Sequence, residues 1–147
     1  MIFCEDEIGY KDIQQEEAIQ KLEEVLGVNV LRNRSAIRCQ AFLSQPAGFV
    51  DDDTLVVVKC PINALSKPFE ALSREEETFF LKEERGMLKL SKDHDFYFEV
   101  QADMKICERQ WCYFVVWSPS EFYYQLVQRD DQVLVVEDWE KLITFQR

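Results

Sequence analysis

Two runs limit what this chain can fold into: Thr54-Leu55-Val56-Val57-Val58 and Trp111-Cys112-Tyr113-Phe114-Val115-Val116-Trp117. Both are almost continuously apolar and rich in β-branched or aromatic residues. A strand with one wet face alternates apolar with polar residues, and these do not, so they read as buried strands that need cover. Amphipathic helical patterns supply that cover. Ile13, Ala18, Ile19, Leu22, Val25 and Leu26 recur at helical spacing over 12–26, with Asp12 as N-cap, Gln15 as its capping-box partner and Gly27 as the stop. A second long helix is expected over 93–109, with His94 capping its start, a short one over 68–72, and an amphipathic one over 131–145. The remaining strands are expected at 28–31, 37–43 and 122–127, and a hairpin pairs 78–81 with 87–90 around Glu84-Arg85-Gly86. Gln45-Pro46-Ala47-Gly48 has turn chemistry, and Asp51-Asp52-Asp53 reads as a polar hairpin tip. The fold class is α/β, with a central mixed sheet flanked by helices.

A length of 147 residues suits a single domain over 1–147, and 47% hydrophobic with 13% aromatic residues is ample for a core. With four glycines and four prolines, no flexible linker is expected. The net charge of -11 disfavours nucleic acid as the main partner, because phosphate binders gain affinity from lysine and arginine. Five cysteines without a Cys-x-x-Cys pair, beside a single histidine, argue against zinc and for reduced, partly buried thiols. No leader and no membrane span is expected.

Two separated stretches carry a resemblance. One is Gln45-Pro46-Ala47-Gly48-Phe49-Val50 followed by Leu55-Val56-Val57-Val58-Lys59-Cys60-Pro61. The other is His94-Asp95-Phe96-Tyr97-Phe98-Glu99-Val100-Gln101 followed by Trp111-Cys112-Tyr113-Phe114-Val115-Val116-Trp117. In this order and spacing they resemble the YqaJ-type viral recombinases, relatives of lambda exonuclease in the restriction-endonuclease-like superfamily. The resemblance implies that superfamily's α/β core and a site where carboxylates bind one or two Mg²⁺ ions that activate water for phosphodiester hydrolysis.

The same resemblance shows what has changed. The position of the family's aspartate is Ala47 and that of its strand glutamate is Val57, two before the retained Lys59. The glutamate of the first helix falls on Gln15, or on Glu16 if the alignment shifts by one. Glu99 replaces the first glutamine of the later helix, and Gln101 matches the second. Alanine and valine offer a metal no side-chain oxygen. No intact catalytic set, metal or cofactor is therefore expected, only the vestigial positions Gln15, Ala47, Val57, Lys59 and Gln101. Glu99 or Glu16 is left to pair with Lys59.

Each sharper reading has a plainer competitor. Asp51, Asp52 and Asp53 fit a solvated tip better than migrated ligands. Cys60 and Cys112 fit packing better than nucleophilic chemistry. Phe96, Tyr97, Phe98, Phe122, Tyr123 and Tyr124 fit the core and sheet face better than base stacking. Arg32, Arg34 and Arg38 form the most compact basic group. The function expected is a catalytically inactive nuclease-like domain, a protein-interaction or scaffold module in a nucleic-acid-related pathway of the nucleus or cytoplasm, with another protein as partner. The alternatives are a non-catalytic DNA or RNA binder, and a metal-dependent exonuclease using displaced acids such as Asp53 or Glu99.

Overall fold

The computed structural model describes residues 3–32 and 46–133, with side chains from Ile13 onward in the first helix. The elements are α1 (Phe3–Leu26), β1 (Leu31–Arg32), β2 (Gly48–Val50), β3 (Thr54–Lys59), a 3-10 turn (Ile62–Leu65), α2 (Phe69–Glu75), β4 (Leu81–Glu84), β5 (Met87–Leu90), α3 (Asp95–Ile106), β6 (Trp111–Ser118) and β7 (Glu121–Gln128). The expected strand over 37–43 lies outside the described residues. So does the expected C-terminal helix beyond Val133, although 131–133 form a turn.

Five strands make one mixed sheet in the order β1-β2-β3-β6-β7, and β4 and β5 form a separate hairpin. β3 and β6 are the parallel pair, with Thr54 opposite Trp111 and Lys59 opposite Val116, and the other neighbours are antiparallel. The two apolar runs are thus adjacent central strands, covered on both faces. Leu55, Val57, Cys112, Phe114 and Val116 point to a core shared with α2, α3 and the hairpin. Val56 and Val115 point to a second core under α1, with Ala18, Ile19 and Leu22. Period-two alternation sends successive residues to opposite faces, so cover on both faces demands apolar residues at nearly every position.

Several boundaries differ from expectation. α1 begins at Phe3, so Asp12 lies inside the helix and does not cap it. Gly9 costs an interior helix position about 1 kcal/mol, too little to stop it. Gly27 does end α1, in a left-handed conformation at φ 68° with its N–H on the Glu23 carbonyl. α3 is shorter than expected, and the first hairpin strand starts at Leu81 because Thr78–Phe80 line the core and cleft. β1 takes Leu31–Arg32 in place of 28–31. Cys107 is disulfide-bonded, against the expectation of thiols throughout, whereas Cys60 and Cys112 are thiols. Disulfide pairing depends on which residues the fold brings together, so spacing alone did not reveal it.

The stretch read as a turn ends on the first residue of β2. Gly48 sits there because β1 comes too close for a side chain: a Cβ would lie 2.6 Å from Val30 Cγ1 and 2.7 Å from the Leu31 carbonyl oxygen. Backbone cannot step aside as a side-chain tip can. Gly48→Ala is expected to lower the unfolding free energy by about 1–3 kcal/mol, measured by urea denaturation. An unchanged midpoint would refute this close approach.

Candidate functional site

At the C-terminal end of β3 the chain leaves the sheet through Lys59-Cys60-Pro61 and opens a cleft of about 570 Å³. α1 contributes Gln15 to one wall. The segment after β3 contributes Ile62 and Asn63, the segment after α2 contributes Glu76, Thr78, Phe79 and Phe80, and the start of α3 contributes His94 and Phe96. Proline at 61 ends the ladder, which lets the backbone turn away here.

Among the described residues Lys59 is the one lysine in the wall. Its Nζ lies 3.1 Å from Glu99 Oε1, one turn into α3, and 4.2 Å from the centre of the Phe96 ring. The ammonium charge is therefore met by a carboxylate and an aromatic face. Glu16, the other candidate partner, instead holds Arg32 at 2.8 Å. That leaves Gln15 as the first-helix residue facing the cleft.

The two positions assigned to metal ligands lie on neighbouring backbone but pack into different apolar clusters. Val57 is 6% exposed and packs into the α3-side core. Ala47 is 7% exposed and packs into the α1-side core with Ala18, Ile19 and Leu22. Its N–H reaches the Val56 carbonyl at 2.8 Å. The described residues do not fit a divalent metal, which needs several convergent oxygens. Among the described residues no three His, Cys, Asp or Glu side chains are grouped to hold one.

Gln101 has a different task. It is fully buried on another face of α3, where Nε2 donates to the Gln128 carbonyl at 3.0 Å and Oε1 accepts from the Asp130 N–H at 2.8 Å. It fastens the end of β7. The structure thus brings Gln15, Lys59 and Glu99 to one end of the sheet and leaves Ala47, Val57 and Gln101 as packing.

The other candidates are equally occupied. Asp51–Asp53 form the exposed tip before β3, and the Asp53 carbonyl receives the N–H groups of Gln110 and Trp111. The six residues of β3, at about 3.3 Å each, put that tip roughly 20 Å from the cleft. Arg32 is clamped by Glu16 and Glu23, whose hydrogen bonds hold its guanidinium even further above neutral pH than usual. Arg32 in turn holds the Glu23 carboxyl below its ordinary range. Arg34 and Arg38 lie outside the described residues. Burial pushes the Cys112 thiol well up, away from the nucleophilic thiolate.

His94 caps α3 as expected, its Nδ1 accepting from the Phe96 N–H at 3.0 Å, and its ring packs edge-on against Phe80 and Phe96. Sequence reasoning missed the contribution of Asn63, Glu76, Thr78, Phe79 and Phe80 to the cleft. No motif marks them, and they meet only through the long connection between β3 and α3.

No family model matches the chain, and neither does any curated protein. Solved structures do. An alkaline exonuclease, LHK-Exo from Laribacter hongkongensis, superposes with a TM-score of 0.61 at 19% identity, over 91% of this chain and 63% of that one. A crystal structure of LHK-Exo in complex with dAMP gives a TM-score of 0.60 at the same identity and coverage. The chain spans less than two thirds of the length of LHK-Exo. The likeness is one of fold, and the fold is that of an exonuclease.

Proposed function

We propose that this exonuclease-like domain is a degenerate nuclease without hydrolytic activity, whose cleft serves to bind another protein. The observation that carries the reading is the state of the β3 end. Val57 is sealed in the core where a ligand carboxylate would be needed, and Lys59 is spent on Glu99 and Phe96. At the β3 end itself Glu99 is paired with the Lys59 ammonium, which leaves little net charge there for a divalent cation. Function belongs to sites and not to folds, so the likeness to an exonuclease does not bring activity with it.

The test uses the full chain. Mn²⁺ and Mg²⁺ are titrated calorimetrically, and the same sample is incubated with labelled single- and double-stranded DNA, LHK-Exo serving as the positive control. The expected result is no saturable heat and no products. Saturable metal binding accompanied by metal-dependent cleavage overturns the reading, because the ligands would then have moved elsewhere in the fold.

A further inference from the structure

We infer that the cleft at the end of β3 receives a basic peptide segment, with an apolar side chain in the cleft and lysines or arginines on its rim. The inference rests on the protein-binding reading above and specifies the partner's chemistry.

The floor is apolar. Val58, Pro61 and Phe96 are half-buried at the cleft, and Ile62 at its edge is 67% exposed. Leu65, in the same 3-10 turn, is 54% exposed and extends this surface. A volume of about 570 Å³ falls within the rough range of about 300–1,000 Å³ of concave binding sites.

The rim is acidic. Glu76 lines the cleft, Glu77 adjoins it, and Asp93 and Asp95 flank His94. Among the described residues none of these four carboxylates has a lysine or arginine within ion-pair distance. The cation in the wall, Lys59, is already neutralised by Glu99. Glu76 accepts from the Asn63 side chain and its carbonyl from Lys82, but the excess of carboxylates beside the apolar surface still repels the phosphates of DNA or RNA and an acidic peptide. This surface steers and holds a chain whose apolar anchor is flanked by cations. The net charge of -11 acts in the same direction.

The experiment selects the full chain against a displayed library of random dodecapeptides and, in parallel, a random single-stranded DNA pool. Enriched peptides are expected to pair a leucine, phenylalanine or similar anchor with several lysines or arginines. Their affinity is expected to fall about tenfold or more in Glu77→Lys/Asp95→Lys, whose side chains are exposed, and to weaken with salt. Ile62→Arg, which sets a cation at the cleft mouth, is expected to abolish binding. Enrichment of acidic or uncharged peptides overturns the inference, as does enrichment indifferent to Ile62→Arg, preferential capture of DNA, or no enrichment over empty beads. The metal and cleavage assays judge the loss of catalysis separately, so the two readings fail on different measurements.

Discussion

Val57→Glu, which places a carboxylate where the motif resemblance expects one, is expected to cost the fold about 3–5 kcal/mol at neutral pH. Val57 is 6% exposed, sits opposite Phe114 on the neighbouring central strand, and belongs to the core beneath α3. A carboxylate there gives up water without gaining an oxygen-binding partner. Lys59 lies two residues on along the same strand face, but its ammonium is already shared between Glu99 and Phe96. Burial would raise the introduced carboxyl's pKa above its unfolded value. The loss is therefore largest at neutral pH and shrinks as pH falls through that raised pKa, where the group becomes neutral in the folded state. Urea denaturation at two pH values measures both features. A loss below about 1 kcal/mol would mean that position 57 opens onto the cleft, and the case against a metal site would fall with it. Val57→Ala serves as the control for lost packing without charge.

Gln101→Ala is expected to destabilise by about 1–3 kcal/mol, because a fully buried side chain and its two hydrogen bonds to the end of β7 are lost together. The side chain is fully buried and spans the Gln128 carbonyl and the Asp130 N–H. The Asp130 amide should also exchange its hydrogen faster, well before global unfolding. Gln101→Glu is the sharper variant: its carboxylate can still accept from Asp130 but repels the Gln128 carbonyl. If Gln101 were a remnant site residue exposed to the cleft, neither substitution would move the unfolding midpoint by more than a few tenths of a kcal/mol. Such a result would return it to the candidate site.

The individual residues show how far sequence reading reaches. His94 was legible as a cap because capping is local: a side chain and an N–H two residues away. Gly27 was legible for the same reason. Lys59 and its link to α3 came from a motif resemblance, and the choice of Glu99 over Glu16 needed coordinates. Arg32 was read as part of the most compact basic group, but Glu16 and Glu23 clamp it from α1, which only helix–strand packing places there. Gln101 matched a site motif by position and proved to be a strand fastener, because the face of α3 on which it lies decides what it meets. Gly48 looked like turn punctuation, and its cause is the proximity of Val30 and Leu31.

By itself the sequence determined that two central strands are buried on both faces and that helices cover them, because period-two alternation leaves its mark in the residues themselves. It also determined that Ala47 and Val57 cannot ligate a metal, since side-chain chemistry does not depend on the fold. Only the tertiary structure decided that these two positions pack into different cores, that Lys59 is neutralised across 40 residues of chain by Glu99, and that an apolar cleft with an acidic rim stands where strand β3 ends. Each of these depends on which distant segments the sheet order brings together, and no local pattern encodes that.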